Sequence, residues 1–191
     1  MTRPLLTSFF AAPLAALAAL AVMPTTAGAS GSAVQAGSPS PALKQSFAVF
    51  RRAQKPRDVP RTRRGDKRAQ ARAAGARLVN SAPKVYFVPF GSRLCMWVKL
   101  PAAGAEGCSS LGTIRSSHPP ALYLIGRDKV TTVIPIVDGI RRVTRIDADG
   151  TRRQLPVRNN VIVDISANGG RIEWTGPTGP VTVLLPKAGS I

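Results

Sequence analysis

The sequence has few of the residues from which metal sites and active sites are usually built. Among its 191 residues are one histidine, two cysteines and nine acidic residues. A transition-metal site needs several imidazole, thiolate or carboxylate ligands, and one histidine beside two cysteines that can pair with each other does not supply them. We therefore expect no metal and no cofactor.

The scarcity of acidic residues also limits carboxylate chemistry. Most of the acids in the C-terminal part fall in predicted turns, where aspartate is favoured because its side chain bonds the backbone. The segment Asp147–Gly150 resembles part of a calcium loop, but the later glutamate that such a loop requires is missing. Asp164 and Glu173 fall in predicted strands, where neighbouring arginines can pair with them. No pair of carboxylates indicates acid–base catalysis.

The single histidine, His118, is the one catalytic candidate. It lies in the proline-rich segment Ser116–Pro120. A Ser-His-Asp site requires the imidazole to reach both a hydroxyl and a carboxylate, and no G-x-S-x-G turn presents a serine here. We interpret His118 as a solvated turn residue. The alternative is an extracellular hydrolase that uses His118 with a serine or an aspartate.

Only one long apolar run is present, and it lies at the N-terminus. Arg3 precedes this run, which extends from Leu5 to Met23, and the small residues Ala27-Gly28-Ala29 follow it. This order is typical of a secretory signal peptide over residues 1–29, cut between Ala29 and Ser30. We expect a secreted or envelope-associated protein whose mature form does not span the membrane. The alternative is that residues 4–23 are kept as an anchor.

The two cysteines, Cys95 and Cys108, allow only one pairing. In an oxidising compartment an even number of cysteines usually indicates disulfide bonds. We therefore predict a Cys95–Cys108 disulfide.

Positive charge is abundant, with 27 lysines and arginines and a net charge of +18. Basic residues concentrate between residues 44 and 78, and such clusters attract polyanions. The partner we expect is an anionic envelope polymer or a protein, and not a specific nucleic acid, because aromatic residues for base stacking are scarce. The alternative is a solvated basic segment held loosely at a negative surface. The candidate polyanion-binding residues are Arg51, Arg52, Lys55, Arg57, Arg61, Arg63, Arg64, Lys67, Arg68, Arg72 and Arg77.

Composition divides the remaining chain into four parts. Residues 30–40 are small and polar, which predicts a flexible linker. Residues 41–55 begin with a Ser-Pro helix start and place Leu43, Phe47 and Phe50 on one face, which predicts an amphipathic helix. Residues 56–83 form a basic low-complexity linker with little to bury, which predicts disorder apart from a frayed helix near 66–74. Residues 84–191 form the β domain.

Short apolar segments separated by turn residues predict that this domain is mainly β. Residues 85–90 and 93–98 flank Gly91-Ser92, which predicts a hairpin that sets Tyr86 opposite Trp97. Further strands are predicted at 121–125, 130–137, 140–146, 151–157, 160–165, 171–175 and 181–185. Strands at this spacing favour a small antiparallel sandwich or barrel. Residues 101–120 are predicted to form a long loop, through which an inhibitor or ligand-binding domain would act.

A series of motifs spans residues 43–165. The motifs are Phe47–Arg52, Val85–Pro89, Leu94-Cys95 with Gly107-Cys108, Ile134–Ile140 and Pro156–Val161. Together they resemble a group of secreted actinobacterial proteins to which no activity is attached. Two positions differ from the group, since Ile-Pro-Ile-Val-Asp-Gly varies on V-P-D-G and Asn159 stands in place of an aspartate. The resemblance implies export and a disulfide, and it implies no mechanism.

These expectations combine into one functional hypothesis. The chain is predicted to be an exported, non-catalytic β domain that acts at the cell envelope or outside the cell. Its role would be that of a binding module with affinity for anionic surfaces.

Overall fold

The structure is a computed structural model that describes residues 37–61, 66–101 and 103–189. The predicted signal peptide over 1–29, its cleavage site between Ala29 and Ser30, and most of the linker over 30–40 lie outside these residues.

The described residues form eleven strands in three antiparallel sheets. Sheet A has the order β1-β2-β3-β4, with bounds Arg77–Ser81, Lys84–Phe90, Arg93–Lys99 and Gly104–Ser110. Sheet B has the order β5-β6-β9, with bounds Leu122–Ile125, Val130–Pro135 and Val161–Ser166. Sheet C has the order β11-β10-β7-β8, with bounds Gly179–Leu185, Gly170–Gly176, Arg142–Asp147 and Arg152–Pro156. The prediction of a mainly β, antiparallel domain is confirmed, but each sheet keeps two open edges and none closes into a barrel.

Sheet B contributes to both of the large apolar clusters. Val133 packs with residues of sheet A, whereas its neighbour Ile134 packs with residues of sheet C. Successive side chains of a strand point to opposite faces, so these two contacts place sheet B between the other two sheets. Every residue of β6 is accordingly buried, as expected for a strand covered on both faces.

The hairpin of β2 and β3 has the predicted register. Gly91 adopts a positive φ of 61° in the two-residue turn, Tyr86 lies opposite Trp97, and Val88 lies opposite Cys95. These two strands are the inner strands of sheet A, which agrees with the apolar character of both their faces.

Two strands were not expected from the sequence. β1 lies in the region predicted to be a disordered linker, and it pairs with β2 while burying Val79. β4 occupies part of the predicted loop over 101–120 and has the sequence GAEGCSS, which lacks the β-branched and aromatic residues that mark strands. Pairing with β3 along all seven residues supplies the stability that local propensity does not.

The helices in the segment before sheet A are shorter than the sequence pattern suggests. The range predicted as a helix, 41–55, contains helix α1 over Pro41–Ser46 and a 3₁₀ turn over Ala48–Phe50. The Ser40 side chain accepts a hydrogen bond from the Leu43 amide at the start of α1. A second 3₁₀ turn (Pro56–Asp58) and helix α2 (Lys67–Ala73) follow within the predicted linker, and helix α3 (Leu111–Arg115) follows β4.

The predicted disulfide is present. Cys95 of β3 and Cys108 of β4 face each other directly in the strand register and are joined by an S–S bond. The bond ties the edge strand β4 to the centre of sheet A.

Candidate functional site

Four cationic side chains line a groove at one end of sheet A. Its volume is about 630 Å³, which falls within the range of small-molecule sites. The cations among the described residues that line it are Arg61, Lys84, Lys99 and Lys129, and none of these described lining residues carries a carboxylate. We call this surface the basic groove.

The strand register brings two of these cations together. Lys84 begins β2 and Lys99 ends β3, and the two residues are direct cross-strand partners. Like charges directly opposite one another on a sheet are unfavourable unless an anion lies near them. The Lys99 ammonium donates a hydrogen bond to the Arg61 carbonyl oxygen at 2.6 Å, which holds the chain at Arg61 beside the pair. Within the described residues none of the four groove cations forms an ion pair with a carboxylate.

The walls of the basic groove are apolar. Leu100 and Pro101 follow β3, Pro83 lies in the turn before β2, and Ile165 of β9 is 48% exposed. A site that combines cations at its rim with apolar walls suits a ligand that has both an anionic and an apolar part.

Tyr86 also lines the basic groove, and it is 5% exposed. Its hydroxyl group forms no hydrogen bond with any described residue, and it remains in contact with solvent. Burial raises the pKa of the Tyr86 phenol above its usual value, while the Arg61 charge opposes this shift and the Asp58 charge adds to it. The phenol is therefore protonated at neutral pH and can donate a hydrogen bond into the groove.

Three of the candidate polyanion-binding residues form hydrogen bonds within the protein. Arg51 pairs with Asp138 at 2.7 Å, and its guanidinium also donates to backbone carbonyls of α1. Arg52 binds both oxygens of Asp58. Arg77 is 8% exposed and donates to carbonyl oxygens of neighbouring chain segments. These arginines hold the segment before sheet A in place.

The other candidates differ in their surroundings. Arg61 lines the basic groove, and Arg72 of α2 lies over the Phe90 ring at 5.8 Å from its centroid. Lys55, Arg57 and Lys67 are exposed. Arg63 and Arg64 lie outside the described residues, as does the side chain of Arg68.

Asp58 is the buried centre of this arginine cluster. Burial by itself would raise the pKa of Asp58, but hydrogen bonds from Arg52 and from the Lys55 and Leu78 amides outweigh it. The pKa of Asp58 is lowered from 3.8 to about 2. The carboxylate is therefore ionised at neutral pH and joins the 3₁₀ turn to β1.

Three segments singled out in the sequence, Phe47–Arg52, Ile134–Ile140 and Pro156–Val161, meet at Asp138 and Asn160. Asp138 Oδ1 accepts hydrogen bonds from the Ala48 amide and from the Asn160 side chain. Asn160 Oδ1 accepts one from the Val49 amide. These contacts join the Phe47–Arg52 segment to the turns after β6 and before β9. Because every one of these side-chain groups is occupied within the protein, the cluster acts as a structural clamp.

His118 lies at the surface beside Ser117, with 2.9 Å between His118 Nδ1 and Ser117 Oγ. No carboxylate of the described residues forms an ion pair with this imidazole. A Ser-His-Asp site also needs a carboxylate that orients the imidazole. His118 and Ser117 therefore supply only two of the three groups that such a site requires.

Comparison with known proteins gave no relationship for this chain. No family model, no curated protein and no solved structure matches it. Across the described residues no group of three or more metal-ligating side chains occurs, and no helix is long and apolar enough to cross a membrane.

Sequence reasoning missed Tyr86, Lys84, Lys99 and Lys129 as site residues. A signal for two of them was present, because the register that sets Tyr86 opposite Trp97 also sets Lys84 opposite Lys99. Lys129 reaches the groove only through the packing of sheet B on sheet A, which the sequence does not reveal.

Proposed function

We propose that this chain is an exported, non-catalytic binding module that attaches to anionic surfaces at the cell envelope or outside the cell. The observation that carries the proposal is the basic groove, where four cations meet and none of the lining residues that the structure describes supplies a compensating carboxylate. A concave surface of one charge sign raises the local concentration of oppositely charged ligands.

Export is supported by the Cys95–Cys108 disulfide, because such bonds persist mainly in oxidising compartments. The N-terminal apolar run and the Ala27-Gly28-Ala29 sequence add the expected cleavage signal. Fractionation of the producing cell followed by mass spectrometry tests this part. A mature chain that begins at Ser30 in the secreted or envelope fraction is expected, and a cytoplasmic chain that begins at Met1 would contradict it.

Surface binding is tested with the exported protein, purified with its disulfide intact. Sedimentation with vesicles of phosphatidylglycerol and phosphatidylcholine is compared with sedimentation with phosphatidylcholine alone, at increasing sodium chloride. We expect binding to the anionic vesicles that weakens as salt screens the charges. Equal binding to both vesicles, or binding that salt does not change, would contradict the proposal.

The hydrolase alternative requires an acid that orients His118, and the described residues place none in an ion pair with it. The binding proposal is favoured because its four charged groups lie together on one accessible surface.

A further inference from the structure

The basic groove has two kinds of lining that a purely electrostatic surface would not need. One is the apolar wall formed by Pro83, Leu100, Pro101 and Ile165, and the other is the Tyr86 hydroxyl, which lacks a partner among the described residues. A free inorganic anion would use the cations and the hydroxyl but would leave the apolar wall in contact with water.

We propose that the basic groove binds an amphiphile through its phosphate head and one acyl chain. An anionic lipid presents both of these groups. The phosphate lies between Lys84 and Lys99 and accepts a hydrogen bond from Tyr86 Oη. The acyl chain lies along Leu100, Pro101 and Ile165. This inference rests on the proposed affinity for anionic surfaces and names the ligand that the groove selects there.

Charge complementarity supports the position of the head. Lys84 and Lys99 are cross-strand partners of like charge, and a phosphate between them removes their mutual repulsion. Phosphate oxygens accept several charge-assisted hydrogen bonds at once, which matches two ammonium groups and one phenol.

The position of the tail follows from the exposed apolar residues. Ile165 is 48% exposed although its neighbours in β9 up to Asp164 are mostly buried. Ile165 is the direct cross-strand partner of Thr131, which also lines the groove, so the apolar wall extends onto the surface of sheet B. An acyl chain on this wall removes apolar surface from water.

Isothermal titration calorimetry with three probes tests the proposal. The probes are dodecyl phosphate below its critical micelle concentration, inorganic phosphate, and dodecyl maltoside, which has the same chain and no charge. We expect dodecyl phosphate to bind at least about tenfold more tightly than either of the other two, because only it uses both parts of the groove. Equal affinity for dodecyl phosphate and inorganic phosphate would overturn the role of the apolar wall, and equal affinity for both dodecyl compounds would overturn the role of the cations.

Two substitutions locate the ligand within the groove. Tyr86→Phe removes one charge-assisted hydrogen bond and should weaken dodecyl phosphate binding about tenfold. Ile165→Thr should weaken dodecyl phosphate binding about fivefold and leave inorganic phosphate binding unchanged. Tyr123→Phe and Leu184→Thr are the matched controls, since both residues are exposed and neither lines the groove. Thermal unfolding of each variant verifies that the fold is kept.

The outcomes separate this inference from the proposed function. Salt-sensitive binding to anionic vesicles together with no binding of dodecyl phosphate would refute the amphiphile and leave the surface affinity standing. Loss of vesicle binding together with retained dodecyl phosphate binding would refute the surface affinity instead. Unchanged dodecyl phosphate affinity in Tyr86→Phe and Ile165→Thr would place the ligand elsewhere and refute the assignment of this groove.

Discussion

The Asn160 side-chain amide donates a hydrogen bond to Asp138 Oδ1 over 2.8 Å, and this contact links the two side chains that accept hydrogen bonds from the Ala48 and Val49 amides of the N-terminal segment. The same Asn160 amide donates to the Ile136 carbonyl oxygen, and its Oδ1 accepts from the Val49 amide. Asn160 has a positive φ of 65°, a conformation that asparagine adopts more readily than other non-glycine residues. The Asn160 side chain therefore forms hydrogen bonds with two segments that are far apart in the sequence.

Replacing Asn160 should destabilise the domain strongly. Asn160→Ala removes three hydrogen bonds and leaves buried polar groups without partners, so we expect the free energy of unfolding to fall by about 3 kcal/mol. Urea denaturation measures this change. Asp128→Asn, at an exposed turn, is the control and should change stability by less than about 0.5 kcal/mol. Equal stability of the two variants would contradict the clamp.

The buried Asp58 predicts a specific dependence of stability on pH. Its pKa in the folded state, about 2, lies below the ordinary value of 3.8, so its stabilisation is complete above pH 3.8 and is lost as the pH falls towards 2. We expect Asp58→Asn to lower the free energy of unfolding by about 2 kcal/mol at neutral pH and by much less near pH 2. A constant difference between the two proteins across this range would contradict the account.

The Cys95–Cys108 disulfide closes a loop with a sequence separation of 13 residues and ties β4 to sheet A. The double variant Cys95→Ala and Cys108→Ala should lose about 3 kcal/mol of stability in the chain-entropy model. Thermal unfolding of this variant is compared with that of the reduced wild-type protein, and the two should agree. An unchanged midpoint in both would show that strand pairing alone holds β4.

Arg145 forms a buried ion-pair network inside the C-terminal part of the domain. It is 1% exposed and pairs with Asp164 and Asp147. Arg145→Ala leaves the buried Asp164 carboxylate without its main partner and should cost about 3–5 kcal/mol. Arg152→Ala removes an exposed ion pair and should cost less than about 1 kcal/mol. If denaturant unfolding gave the same loss of stability for both variants, the claim that the buried ion pair contributes more than the exposed one would be contradicted.

The sequence predicted the central hairpin well because its register depends on a local turn. Gly91 and Ser92 fix which residues of β2 and β3 face each other, and apolar side chains on both faces place the strands in the interior. β4 could not be predicted in the same way, since its small and polar residues become a strand only by pairing with β3.

The candidate site was harder to predict because it is assembled from distant segments. Arg51 and Arg52 resemble free charges in the sequence, and only the fold shows that Asp138 and Asp58 bind them. The basic groove combines Arg61, which follows the second 3₁₀ turn, with residues of sheet A and sheet B and of the turns beside them. A charge count identifies the amount of positive charge but not the surface on which unpaired cations meet.

The most direct test of the central proposal compares two triple variants of equal net charge in binding to phosphatidylglycerol vesicles. One replaces the groove lysines with Lys84→Gln, Lys99→Gln and Lys129→Gln, and the other carries Lys44→Gln, Lys55→Gln and Lys67→Gln outside the groove. At about 1 kcal/mol per lysine near an anionic membrane, the groove variant should bind about 100-fold more weakly than wild type, and the other variant much less so. Equal losses in the two variants would contradict the account, because net charge rather than the basic groove would then determine binding.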